Sequence, residues 1–149
     1  MYKHILIATD GSELAGKGVD AGLALAKALQ ASATLVTVSE PWQDVMPGDP
    51  SGMALACELR DEHRKAKAAE AKEVIADAQA RASAVGVVLT TEYVPDRMPA
   101  EAILETAAAR RADLVVMASH GRRGLRKLLL GSQTQAVVNR GTLPVLVVR

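Results

Sequence analysis

The segment Ala118-Ser119-His120-Gly121-Arg122-Arg123-Gly124, followed by Leu128-Leu129-Leu130-Gly131-Ser132, gathers glycines, a hydroxyl and cationic side chains. The apolar run Leu114-Val115-Val116-Met117 leads into it. Glycines let backbone N–H groups turn toward a ligand with no Cβ in the way. A serine at a helix start offers a hydroxyl, a free amide and the positive end of the helix dipole. Together these groups hold phosphate at the end of a strand in an α/β sheet. Arg122, Arg123, Arg126 and Lys127 add local positive charge to a chain whose 18 Lys and Arg nearly balance 17 Asp and Glu. A glycine-rich connection with solvated arginines is the plainer reading. It leaves unexplained why Gly121, Gly131 and Ser132 coincide with that charge beyond one apolar run.

Asp10, in Thr9-Asp10-Gly11-Ser12, is the second candidate. It suits an Asx-type turn or helix cap, and equally a carboxylate that accepts hydrogen bonds from ribose hydroxyls. The stretch Gly11–Gly18 nearly spells a P-loop, but Gly18 stands where a magnesium-binding hydroxyl is needed and Glu13 would face the phosphates. Gly18 and Gly22 are better read as close-packing points on a helix face. Ser119 and His120, with Asp10 or Asp113, could compose a nucleophilic triad, but Met117 occupies the first glycine of a nucleophile elbow. His4 and His63 read as structural or solvated, and three scattered histidines give no metal-ligand spacing.

These residues need a scaffold, and the chain supplies an alternating one. Strand character falls at His4–Ala8, Ala33–Val38, Val87–Val94, Leu114–Ala118 and Pro144–Val148. Four of these runs are almost continuously apolar, as in strands covered on both faces, while Val87–Val94 is more polar and reads as an edge. Helical patterns fill Glu13–Gln30, about Met53 to Ala84, and Pro99–Arg110. Gly86 supplies the stop of the second, and Pro99 opens the third. Ser132-Gln133-Thr134-Gln135 has capping-box spacing for a last helix that Gly141 ends. Such alternation predicts an α/β fold of one domain over residues 1–149, a doubly wound parallel sheet with helices on both faces. Ligands in such sheets sit at the carboxyl ends of strands, where the strand order reverses. If the first and fourth strands are neighbours, Asp10 and the glycine loop face one crevice. Glu40–Gly52, with three prolines and two glycines, reads as a surface loop.

Composition narrows the classes. The balanced charge gives no field to recruit nucleic acid, and three aromatics (Tyr2, Trp42, Tyr93) offer no series of stacking platforms for a single strand. The lone Cys57 excludes an intramolecular disulfide and suits a reducing compartment. No apolar run approaches the ~20 residues of a membrane span, and no signal-peptide cleavage pattern opens the chain. A soluble cytoplasmic protein is expected.

Over essentially its whole length the chain resembles the universal stress protein family. The resemblance rests on Thr9-Asp10-Gly11-Ser12, Ala118-Ser119-His120-Gly121, Gly131-Ser132, and the closing Leu143-Pro144-Val145-Leu146-Val147-Val148. The nucleotide-binding branch carries Gly-x-x-Gly, nine residues, then Gly-(Ser/Thr). Gly121, Arg122–Leu130 and Gly131-Ser132 match it, and Ala118 stands at the first glycine. The resemblance implies a Rossmann-like five-stranded parallel sheet of order 3-2-1-4-5, a homodimer through Pro144–Val148, and a site for ATP or AMP, with or without magnesium. By position, Asp10 would meet the ribose, while Ala8, Thr9 and Val38 would line the adenine pocket. Met117, Gly121 and Arg122 would border the phosphates, which Gly131, Ser132, Gln133 and Thr134 would clasp. Ala118 costs little if its φ is negative, and obstructs if φ is positive or if phosphate must lie against its Cα. The function implied is nucleotide-dependent regulation in the stress response. The alternatives are a nucleotide-independent dimeric interaction protein and a slow ATPase.

Overall fold

A computed structural model describes residues 1–43, 49–122 and 130–149. Pro47 and Gly48 of the proline-rich loop, and Arg123, Gly124, Arg126, Lys127, Leu128 and Leu129 of the basic loop, lie outside the described residues.

Among the described residues the elements alternate as β1 (His4–Ala8), α1 (Glu13–Leu29), β2 (Ser32–Val38), α2 (Pro50–Val85), β3 (Leu89–Val94), α3 (Pro99–Ala109), β4 (Leu114–Ala118), α4 (Ser132–Arg140) and β5 (Val145–Val148). The strands form one sheet of order β3-β2-β1-β4-β5, every pair parallel. The two-residue period of a strand divides the core in two. Ile5 and Ile7 face α1 and α2 together with Val19, Leu23, Ala78 and Ala82. Leu6 and Ala8 face α3 and α4 together with Ala100, Ile103, Ala107 and Val137. β1 is therefore apolar at consecutive positions because both its faces are covered. With no Phe in the chain, the helices meet the sheet through aliphatic side chains and, at the closest approaches, through alanines and glycines. A Cβ on Gly22 would lie 2.7 Å from Ile7 Cδ1, and one on Gly18 would lie 3.4 Å from the Ala118 amide nitrogen. Both glycines are packing points.

Several element ends differ from the sequence expectation. α2 starts at Pro50 because Asp49 caps it, accepting the Gly52 N–H at 3.2 Å, with proline at the first helical position. β3 starts at Leu89: the Val87 N–H closes the end of α2 on the Ala82 carbonyl at 2.9 Å, beyond the left-handed Gly86. Val88 is then 90% exposed. β5 starts at Val145, although the Pro144 carbonyl still accepts the Val115 N–H at 3.0 Å. The capping box at Ser132 is absent, since Gly131 occupies the N-cap position with no side chain to bond. Among the described residues no helix is long and apolar enough to cross a membrane.

Candidate functional site

The carboxyl ends of β1 and β4 lie side by side, Ala8 paired with Met117. Beyond β1 the chain turns sharply. Asp10 Oδ1 accepts the Ser12 N–H at 3.0 Å, and Gly11 adopts a left-handed φ of +77°. Ser12 Oγ then caps α1 by accepting the Ala15 N–H at 3.2 Å. The Asx turn foreseen for Asp10 is thus present, and it engages only one carboxylate oxygen. The other, Oδ2, accepts the Arg122 N–H at 2.7 Å across the crevice. A Cβ on Gly121 would stand 2.5 Å from Oδ2. That glycine is needed for close approach; its φ is not in the left-handed region.

The fourth strand's exit is held as firmly. The Ser119 N–H donates to the Val148 carbonyl at 2.7 Å, and the Gly131 N–H donates to the Ser119 carbonyl at 2.8 Å. A Cβ on Gly131 would meet that carbonyl oxygen at 3.2 Å. α4 follows at once, its first helical bond running from the Gln135 N–H to the Gly131 carbonyl. The amides of Ser132, Gln133 and Thr134 therefore lack intrahelical acceptors, and the positive end of the helix dipole adds to them. Ala118 is not among the described non-glycine residues with positive φ, which are Gln30, Asp96 and Arg111. Its carbonyl accepts the Thr134 hydroxyl at 2.9 Å. The alanine thus meets the backbone condition for costing little.

One cavity of about 690 Å³, within the range of small-molecule sites, opens at this edge of the sheet. From β1 and its turn it is lined by Ala8, Thr9 and Asp10, and from β2 by Val38. Met117, Gly121 and Arg122 line it from β4 and beyond, and Gly131, Ser132, Gln133 and Thr134 from the start of α4. All the residues expected to line a site thus share one cavity. At the start of α4, two side chains are already engaged. Besides the Thr134 hydroxyl, Gln133 Oε1 accepts the Ala100 N–H at 3.0 Å, which caps α3. Their backbone amides, in the first turn of α4, have no intrahelical acceptor.

A wall of the cavity was not foreseen. His63, Lys67, Glu70, Ala71 and Val74 line it from α2, spaced as one face of a helix, and Trp42 lines it from the loop after β2. His63 is therefore not a solvated helix residue: its ring packs against Trp42 with centroids 4.7 Å apart. In sequence this helix gave no sign of a site, and its His63 read as structural or solvated, but the spacing four, three, one and three was there to be read. Glu70 Oε2 accepts from Lys67 Nζ at 2.9 Å and from Arg122 Nη1 at 3.1 Å. These two hydrogen bonds, Lys67 first, hold its carboxyl below the usual carboxylate range.

The parts of a triad do not assemble for attack. Ser119 Oγ and His120 Nδ1 are 3.0 Å apart, but Ser119 is only 2% exposed. Asp113 lies at the amino end of β4, accepting the Lys3 and His4 N–H groups at 2.8 and 3.1 Å. His4 is structural, its Nε2 2.9 Å from Thr34 Oγ1. Among the described residues no group of three or more His, Cys, Asp or Glu side chains could hold a metal ion.

The arrangement is a carboxylate opposite a row of amides, with an apolar strand end between. The whole chain, residues 1–149, matches the sequence model of the universal stress protein family. A universal stress protein of Thermus aquaticus is 36% identical over the full length of both chains. The solved structure of MJ0577 from Methanocaldococcus jannaschii superposes with a TM-score of 0.81 at 28% identity, covering 99% of this chain and 96% of that one. A further solved universal stress protein gives 0.72 at 29% identity, covering 99% and 97%. This chain belongs to the universal stress protein family.

Proposed function

We propose that the cavity binds an adenine nucleotide, ATP or AMP, and that the protein is a nucleotide-responsive regulator of the stress response rather than a fast enzyme. The observation that carries this reading is the approach of Asp10 to the Gly121-Arg122 backbone beside the N-terminus of α4, all bordering one cavity. A carboxylate there suits ribose hydroxyls, and the amides of Ser132, Gln133 and Thr134 suit phosphate oxygens. A side chain at position 121 would crowd Asp10 Oδ2 and one at 131 would press on the Ser119 carbonyl, so glycine at both leaves that end open to a bulky anion. The universal stress protein at 29% identity was solved in complex with cAMP, which supports the adenine nucleotide class.

Titration calorimetry tests the reading. ATP or AMP should give saturable heat with the protein and none with Gly131→Val, whose side chain would press on the Ser119 carbonyl. Heats equal to dilution for the unaltered protein would leave a nucleotide-independent interaction protein on this scaffold. Turnover of ATP that survives repurification and falls with Ser132→Ala would favour a slow ATPase. We further propose a dimer through β5. That strand is an edge of the sheet, and Leu146 within it is 40% exposed, so pairing with a second copy would cover an open row of N–H and C=O groups. Light scattering at micromolar concentration should give the mass of two chains, and the mass of one would sink that proposal.

A further inference from the structure

The chain holds one Trp, two Tyr and no Phe, and yet Trp42 and Tyr93 both line the cavity. Trp42 lies four residues beyond the end of β2, and Val38, the last residue of that strand, lines the same cavity. The Trp42 ring is braced by His63 from α2, centroids 4.7 Å apart and planes tilted by 55°. Both side chains are partly buried. Tyr93, paired with Thr37 in the neighbouring strand, directs its hydroxyl to Ser39 Oγ at 2.9 Å. The aromatic groups thus gather at the β2 and β3 side of the crevice. The amides and cations (Arg122, and the start of α4) gather at the β4 side, with Asp10 between them. β2 and β4 flank β1, so their ends stand about 10 Å apart, one strand spacing on either side. A mononucleotide has the same order of chemistry: planar base, diol, anion.

We infer that Trp42, braced by His63, is the stacking wall for the base of the bound nucleotide, so that α2 and the loop after β2 read the base while the β1–β4 crevice reads ribose and phosphate. This rests on the proposed nucleotide site and adds to it the residues that select a base. A planar base can lie against an indole face with little loss of freedom, because the indole is rigid and its orientation is already fixed by a second ring. Stacking of this kind favours the larger purine surface and gains nothing from a sugar phosphate that carries no base.

Trp42 is the only tryptophan in the chain, so its emission reports on this wall alone. AMP should quench that emission saturably, with the same midpoint as the calorimetric titration, while ribose 5-phosphate should leave it unchanged. Trp42→Leu should weaken AMP by about tenfold and leave the melting-temperature shift caused by millimolar ribose 5-phosphate unaltered. Trp42→Phe should recover most of the lost affinity. Calorimetric binding of AMP with no change in emission would overturn the wall while leaving the nucleotide site standing. Equal losses for AMP and ribose 5-phosphate in Trp42→Leu would overturn it as well, reducing Trp42 to a prop for its loop. No heat with either ATP or AMP in the unaltered protein would remove both inferences together.

Discussion

Asp10 and Asp113 sit at opposite ends of the same pair of neighbouring strands, and each carboxylate accepts two backbone N–H groups. Asp113, at the start of β4, binds Lys3 and His4 at the start of β1. Asp10, beyond the end of β1, binds Ser12 in its own turn and Arg122 beyond the end of β4. Local chemistry is nearly the same, and the surroundings differ. At the amino end the chain is tied by helix and strand ends, and the carboxylate acts as a clamp. At the carboxyl end, Gly121 removes the Cβ that would fill the space beside Oδ2, and the carboxylate borders a cavity of ligand size. A parallel sheet makes this asymmetry general, because its helices begin near the carboxyl ends of the strands and turn their positive poles to that side.

The largest way to break the comparison is Asp10→Ala. Both it and Asp113→Ala remove two charge-assisted backbone hydrogen bonds at partly exposed positions, so both should cost about 1.5–3 kcal/mol of stability. Only Asp10→Ala should also weaken AMP, by about tenfold or more, since hydrogen bonds to a charged group contribute about 1.5–3 kcal/mol. Gly121→Val should reproduce the loss of affinity with the carboxylate still present, because its side chain would crowd Oδ2. Calorimetry on the three variants checks this. Equal AMP affinities for Asp10→Ala and Asp113→Ala would make Asp10 a second clamp and nothing more.

A smaller effect tests the Asp113 clamp by pH. Burial raises the Asp113 carboxyl, but the N–H groups of Lys3 and His4 outweigh it and hold the group below its ordinary value of 3.8. For an acid lowered on folding, the stabilisation is complete above the unfolded value and disappears as pH falls through the folded one. The urea midpoints of the unaltered protein and Asp113→Ala should therefore differ at pH 6 and draw together only as pH falls below about 4 toward the folded value. A gap that stayed constant down to pH 2 would assign the loss to packing instead of charge.

How much of this was legible depended on how local the cause was. Apolar runs such as Ile5-Leu6-Ile7 announced a strand covered on both faces, and the sheet order was carried by the family resemblance. Asp10, Gly121 and Gly131 were legible because turn residues that follow buried strands stand out from their neighbours. The far wall was not. His63, Lys67 and Glu70 belong to a helix with few buried residues (Ala71, Ala78 and Ala82), and only its passage beside Trp42 and Arg122 turns that face into cavity. The capping box at Ser132 failed for a simple reason: the Ser119 carbonyl holds the Gly131 N–H and fixes Gly131 as the residue that precedes the helix. Likewise, Val87 has strand character and was spent on closing α2.

The smallest effect concerns a third carboxylate that reaches the same arginine. Asp10 holds the Arg122 backbone, whereas Glu70 holds its guanidinium and also Lys67, all three side chains being substantially exposed. Exposed pairs of this kind contribute about 0–1 kcal/mol, so Glu70→Gln should move the melting temperature by no more than about 4 °C. Its effect on binding should have the opposite sign to that of Asp10→Ala. Glu70 neutralises two cations that border the cavity, and removing its charge leaves them to act on the phosphates. AMP affinity should then rise about twofold at low ionic strength, and the gain should fade by 1 M salt, where the screening length drops to about 3 Å. A loss of affinity with Glu70→Gln would mean that this carboxylate, like Asp10, touches the ligand, and would move the boundary between clamp and site one residue network outward.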